Sequence, residues 1–214
     1  MNNVAQIRCR DLARTDDQSA TRLLAGAMRE SPVVVRTFGS NSDKRERRLV
    51  SFYAQAVASI RSHGAFFGAF AGQRLLGVLG ALRPGCCQRG FWGTFRFVPS
   101  LLAHNTLAAV LRVKHWQDAW TRRDPHKVHW HLGLFAVEAD ARGSGVGSQL
   151  MSEHCARMDH LDATSYLETD QTTNVRFYQR FGYRVVGQEP VLGITTWFME
   201  RLANSNRESR RVSC

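Results

Sequence analysis

The sequence predicts one α/β domain built on a mixed, twisted sheet of six to seven strands with helices on its faces. The sheet should be antiparallel in its first half and parallel at its centre. Three observations predict this. Residues 65–71 and 74–82 are apolar runs around Ala71-Gly72-Gln73-Arg74, which reads as a β-hairpin. Residues 129–151 read as an apolar strand, a sharp glycine-rich turn and an amphipathic helix. A strand–helix–strand crossover over 129–169 then obliges its two strands to run parallel. A chain of 214 residues suits one domain with a full core. We place that domain at 1–203 and expect the polar, basic 204–214 to be a disordered tail.

The elements follow in order. Val4, Ile7 and Cys9 alternate as a first strand. Asp16 or Asp17 can cap a helix that runs to about Arg29, with Leu23, Leu24, Ala27 and Met28 inward, and Pro32 stops it. A second helix is expected from Asp43 to Arg61. Asp43 serves as N-cap and Glu46 completes a capping box. Its apolar stripe is Leu49, Phe52, Tyr53, Ala56, Val57 and Ile60, and Gly64 ends it. Pro84-Gly85 breaks the hairpin's second strand. Residues 85–99 hold Phe91, Trp92, Phe95 and Phe97 without a stable period. A helix over about 100–122 follows, with Leu102, Leu107, Val110, Leu111, Val113 and Trp116 apolar. Then come a strand over 129–137, a helix over 145–159 with Val146, Leu150, Met151, Cys155 and Met158 inward, and a strand over 164–169. A short helix over 174–181, ended by Gly182, precedes strands over 183–186 and 194–199.

Composition narrows the function classes. The chain is 43% hydrophobic and 22% charged, ordinary for a globular protein. No apolar run reaches the roughly 20 residues a membrane helix needs, and the N-terminus lacks a signal-peptide core. A cytoplasmic protein without a membrane partner is the expectation. The five cysteines, Cys9, Cys86, Cys87, Cys155 and Cys214, form no Cys-x-x-Cys pair, so thiols are expected rather than a zinc site. The net charge of +11 is spread over 44–48, 112–127 and 201–211. These blocks are not interleaved with aromatics as a stacking platform would be, so nucleic acid is not the expected partner.

The glycine turn carries the ligand chemistry. Arg142-Gly143-Ser144-Gly145-Val146-Gly147-Ser148 bares backbone amides where a helix starts. Such amides carry partial positive charge, lack intrahelical partners and suit a phosphate. A nucleotide P-loop needs wider glycine spacing and a lysine, and a dinucleotide fingerprint needs a glycine where Ser148 stands. Asn174 and Tyr178, four apart, share one face of the following helix, and Phe177 and Phe181 share the neighbouring face, which can bury.

Arg-x-x-Gly-x-Gly over 142–147, five residues after Val137, resembles the acetyl-CoA motif of the GNAT N-acetyltransferase superfamily. Tyr166-Leu167-Glu168-Thr169, followed by Asn174, Phe177, Tyr178, Phe181 and Gly182, resembles that family's other signature. The likeness covers 129–200 closely. It implies acetyl-CoA as co-substrate and no metal. It implies that the amides of 142–148 hold the diphosphate and that the central strand pair splays to admit the pantetheine arm. Backbone groups of Phe135, Ala136 and Val137 would then line that arm, the Phe135 amide facing the thioester carbonyl and Val137 pairing with a pantetheine amide.

Acetyl transfer to an amine needs a base, a stabilised carbonyl oxygen and an acid for the leaving thiolate. An α-amino group is roughly one-tenth neutral at pH 7, a lysine only about once in 2,500 molecules, so a base matters most for a lysine-like acceptor. Tyr178 is the candidate acid, a position that carries the acid in many relatives. The base is His131, where related histone and arylalkylamine acetyltransferases carry Glu or His, or Glu168, or a water chain. Residues 129–134 together with 167–178 look most like puromycin N-acetyltransferase-type members. That points to a small-molecule amine, with residues 85–125 walling its pocket. A protein lysine or N-terminal acetyltransferase and a non-catalytic acetyl-CoA-binding regulator remain as other readings, and a homodimer is left open.

Overall fold

A computed structural model describes residues 6–86 and 106–205. Seven strands form one sheet in the order β1-β2-β3-β4-β5-β7-β6. They are β1 (Ile7–Asp11), β2 (Gly64–Ala71), β3 (Arg74–Leu82), β4 (Trp130–Val137), β5 (Ser165–Thr169), β6 (Arg184–Val191) and β7 (Ile194–Arg201). Pairing is antiparallel throughout except between β4 and β5, which run parallel, as the crossover requires. β7 lies between β5 and β6, so the last hairpin folds back inside the edge. The mixed-sheet expectation holds.

The sheet buries both faces. On one lie α1 (Asp17–Met28), α2 (Pro32–Phe38), α3 (Ser42–His63) and α4 (Leu107–Arg123), whose apolar residues share one core with Phe66, Phe70, Val78, Leu134 and Ala136. On the other lie α5 (Val146–His160) and α6 (Thr172–Gln179), packed with Phe67, Leu79, Leu132, Leu167 and Met199. The predicted inward residues of α5 are all buried. Two buried layers around one sheet are what alternate apolar faces on successive elements demand.

Local chemistry overrides several expectations. Pro32 opens a helix instead of only closing one: it takes the first position of α2, where its missing N–H costs nothing and its fixed φ suits the turn. The carboxylate of Asp170 caps that helix by accepting from Ser31 Oγ at 2.6 Å and from the Val33 amide at 2.9 Å. Asn41, not Asp43, caps α3, its Oδ1 accepting from the Lys44 amide at 2.9 Å. Glu46 is drawn instead to Arg29 at 2.7 Å, so no capping box forms with Asp43. Asp16 takes the N-cap position of α1 as expected, but its side chain makes no cap hydrogen bond to that helix. A 3-10 turn over Arg14–Asp16 precedes the helix, and Asp16 accepts from the Ala13 amide and from Arg10.

Gly64 ends α3 in extended rather than left-handed conformation and passes straight into β2. A Cβ there would stand 2.1 Å from the Ala81 carbonyl oxygen, so close approach of two strands explains the glycine. Leu107 and Leu111 of α4 face outward, 65% and 58% exposed, while Ala109, Val113, Trp116 and Ala119 form the buried stripe. The expected start of this helix near 100, Leu102, and most of the aperiodic stretch fall outside the described residues. So does the expected tail, apart from Asn204 and Ser205; the Ser205 amide donates to Asp162.

Arg45 of α3 is buried and gathers the loops between α1 and α3. It donates to the carbonyls of Arg29, Gly39 and Ser40 at 2.6–3.0 Å and forks onto Glu30 at 2.8 Å. Nη2 on both oxygens of one carboxylate, with carbonyls taking the Nε and Nη1 donors, satisfies a buried guanidinium. This fixes the Glu30-Ser31 corner, which borders the site.

His154 sets an acid limit on stability. The Tyr183 hydroxyl donates to Ser165 Oγ at 2.7 Å, leaving the Ser165 proton for His154 Nε2 at 3.0 Å. Burial first, then the positive charges of Arg201 and Arg157, hold the ring neutral and push its pKa down to about 3. An unfolded chain takes up this proton near pH 6.5, so the contribution is intact above that pH and is lost as pH falls toward 3, by up to about 1.4 kcal/mol per pH unit. We expect urea midpoints between pH 6 and 5 to fall more steeply for the wild type than for His154→Gln. Equal slopes would remove His154 from the acid response.

Candidate active site

A cleft of about 740 Å³ opens where β4 and β5 part. The two strands pair only at Trp130↔Ser165 and His131↔Tyr166. Beyond His131 their edges diverge. One cause is visible in β4: its register against β3 shifts between Gly80 and Ala81, so Gly133 has no opposite partner. A bulge of this kind bends the strand and ends regular pairing.

At one end of the cleft lies the glycine turn. Gly143 and Gly145 have φ of +80° and +91°, values that side chains resist, and Gly145 is the N-cap of α5. The Val146 side chain is buried in the core beneath. Its amide and those of Gly147 and Ser148 belong to the first helical turn, which has no internal acceptors for them. The amides of Arg142 and Ser144 make only long 3.4 Å bonds within the turn, and the Ser144 hydroxyl donates to Ala141 O. Arg142 turns its guanidinium away, onto Ala27 O at 3.1 Å, leaving the amides open.

Tyr178 lines the cleft and is buried, its ring packed near Phe135, Phe177 and Tyr183. Burial, then the Asp170 carboxylate, push its pKa above the usual phenol value, so it remains a proton donor through the neutral range. The expected burial of Phe177 and Phe181 is met only in part, both packing against the core from its margin. Both are half-buried, and Tyr178 with Val175 is the buried face of α6, set in the core beneath the sheet. Asn174 lines the cleft and donates to Thr169 Oγ1 at 3.3 Å. Phe135, Ala136 and Val137 line it from β4.

The two candidate bases are joined. His131 Nε2 lies 2.9 Å from Glu168 Oε2, whose side chain is 2% exposed. Glu168 lines the cleft, while His131 stands behind it. Around this end stand Phe52, Tyr53, Trp116 and Trp120, with Phe52 stacked on Trp116 and Trp116 edge-on to Trp120. Glu168 Oε1 and Trp120 Nε1 are buried polar atoms with no partner among the described residues. The charged residues lining the cleft are Glu30, Arg142, Glu168, Asp170 and Arg180 among the described residues.

Sequence reasoning missed Tyr53, Asp170, Trp120 and the bulge at Gly133. A glycine inside a strand pattern was the available sign of the bulge. Ser31-Pro32 was the sign of the helix start that Asp170 caps.

Residues 102–185 match the family model described as the acetyltransferase (GNAT) domain. Solved structures share the whole fold. A histone acetyltransferase HPA2 and related acetyltransferase from Corynebacterium glutamicum is 21% identical, with a TM-score of 0.69 over 92% of this chain and 96% of that one. PaiA N-acetyltransferase from Thermoplasma acidophilum, in complex with coenzyme A, is 12% identical, with a TM-score of 0.58 over 92% and 99%. The ribosomal-protein-S18-alanine N-acetyltransferase of Escherichia coli is 11% identical, with a TM-score of 0.55 over 92% and 94%. Residues 102–185, the glycine turn among them, are thus similar to a GNAT acetyltransferase domain, and the fold is shared with these solved structures.

Proposed function

We propose that the protein is an acetyl-CoA-dependent N-acetyltransferase that passes an acetyl group directly to a primary amine of a small molecule within a ternary complex. One observation carries this reading: a single cleft joins an amide-lined helix start to a buried carboxylate, with a protonated tyrosine along it. In this reading the amides of 142–148 hold the diphosphate. The β4 edge at Phe135–Val137, unpaired by β5, takes the pantetheine arm as a pseudo-strand.

The amine enters from the aromatic end. Its nitrogen attacks the thioester carbonyl carbon; the C–N bond forms and the C–S bond breaks. The Phe135 amide faces the developing oxyanion. Glu168 Oε1 accepts the proton the amine loses, with His131 holding the carboxylate from behind. Tyr178 gives its phenolic proton to the leaving thiolate and regains one from solvent.

The acceptor end supports a small cationic amine with an apolar body. An ammonium answers the unpartnered Glu168 Oε1, and an acceptor atom on the substrate answers Trp120 Nε1. α4 crosses this side of the sheet, tied to β6 by Arg122 and Arg123 onto Glu189 at 3.2 and 2.6 Å. The likeness of 129–134 and 167–178 to puromycin N-acetyltransferase-type sequences points the same way.

Release of free coenzyme A with a panel of small amines, compared with lysine- and N-terminal peptides, tests the reading. Small apolar amines should turn over best. Acetylation of peptides alone would replace the acceptor class, and no release with any amine would leave a binding protein. Tyr178→Phe should lower turnover at least about tenfold while acetyl-CoA affinity changes little. Unchanged turnover would take Tyr178 out of the mechanism.

A further inference from the structure

The end of β5 is bonded to the far wall of the cleft. Asp170, the residue after β5, accepts from Ser31 Oγ at 2.6 Å and from the Val33 amide at 2.9 Å, across 139 and 137 positions of sequence. All three residues line the cleft, and Ser31 and Val33 are buried. The Val33 amide belongs to the first turn of α2, which offers it no acceptor of its own. A carboxylate from another element fills that role, and removing it would leave a buried donor unpaired.

α2 in turn supports the aromatic wall. Phe38, its last residue, packs edge-on to Phe52 of α3 with ring centroids 5.8 Å apart, and Phe52 stacks on Trp116 of α4 at 6.2 Å. Phe52 and Trp116 line the cleft. The end of α2 is fixed by Arg45, which donates to the carbonyls of Gly39 and Ser40. Its start is fixed by Asp170. The same carboxylate is felt by the two buried phenols of the cleft, Tyr53 of α3 and Tyr178 of α6. Burial first, then the Asp170 charge, push both above the usual phenol value.

We propose that Asp170 is a positioning residue for the acceptor amine: its carboxylate ties the start of α2 to the end of β5 and so sets where the aromatic wall stands relative to Tyr178 and Glu168. A helix of seven residues does not hold its shape without tertiary support, so losing this tie loosens α2 first. A wall that drifts costs orientation of the amine, and attack on a thioester carbonyl tolerates little misplacement. The glycine turn is spared, because Gly145 caps α5 and that helix packs on the other face of the sheet. The role toward the amine rests on the acetyl-transfer reading; the tie itself does not.

The test sets Asp170→Ala beside Asp170→Asn in the full-length protein. Asparagine keeps an oxygen that can accept both bonds, and alanine keeps none. Hydrogen exchange of the α2 amides reads the tie without any substrate. Coenzyme A release with 2-phenylethylamine, a primary amine with an apolar body, reads the acceptor. In Asp170→Ala we expect exchange over 33–38 to quicken at least about tenfold and KM for the amine to rise at least about fivefold, while acetyl-CoA affinity stays within about twofold of wild type. Asp170→Asn should bring exchange and KM back to within about twofold. Unchanged exchange in Asp170→Ala, an unchanged KM for the amine, or a loss of acetyl-CoA affinity as large as the rise in that KM would each overturn the proposal. If circular dichroism shows Asp170→Ala unfolded, Ser31→Ala, which removes the 2.6 Å bond alone, takes its place with about threefold expected in exchange and KM. A wild type that releases no coenzyme A with any amine would sink the acetyl-transfer reading instead, and the exchange comparison alone would then decide the tie.

Discussion

Gly145→Glu is expected to abolish acetyl-CoA binding while leaving the fold in place. Two effects act together. Gly145 sits at φ +91°, and a Cβ in the left-handed region costs about 1–2 kcal/mol. There is open space around that Cβ, so the side chain would meet no wall and the core would not be disturbed. The carboxylate would stand at the N-terminus of α5, where the first-turn amides are assigned to the diphosphate, and would occupy the role of that anion. Like charge and lost amides should together weaken affinity at least about a hundredfold, read by calorimetry. Gly145→Ala carries the backbone strain without the charge and should cost about tenfold at most. Normal affinity in Gly145→Glu would refute the turn as the diphosphate site and, with it, the acetyltransferase reading.

The turn was legible in the sequence because its chemistry is local. Gly143 and Gly145 serve backbone angles, and Val146, Leu150 and Met151 follow one helix face into the core. The hairpin 64–82 was legible for the same reason, with Gly72 at its tip. Features that depend on distant partners were not. Asn41 and Asp43 are comparable caps by residue type, and what distinguishes them is that Glu46 is claimed by Arg29 from another helix. The inward face of α6 is set by its packing against the core, so Tyr178 is buried where Phe177 and Phe181 looked the better core residues. The insertion of β7 between β5 and β6 is a long-range pairing that no local pattern encodes. At the site, His131 and Glu168 were read as alternatives because 37 positions separate them, yet they share one hydrogen bond. The acceptor wall was legible only in part: Trp116 and Trp120 line the cleft, while 87–105 lies outside the described residues.

That shared bond makes Glu168→Gln the sharpest test of the chemistry. Glutamine keeps the size of the side chain and still accepts from His131 Nε2, so the cleft wall and the acetyl-CoA end should be untouched. What it loses is the negative charge and the capacity to take a proton. If Glu168 Oε1 accepts the amine proton during attack, turnover should fall about 100- to 1,000-fold, in the range that positioned general bases supply, with acetyl-CoA affinity unchanged. If the carboxylate serves instead to hold the ammonium, KM for the amine should rise while kcat holds, because an interaction made equally in ground and transition states is lost. A drop in kcat at saturating amine, with coenzyme A release followed directly, supports the base. Wild-type kcat and KM together would remove Glu168 from the reaction and return the proton transfer to water.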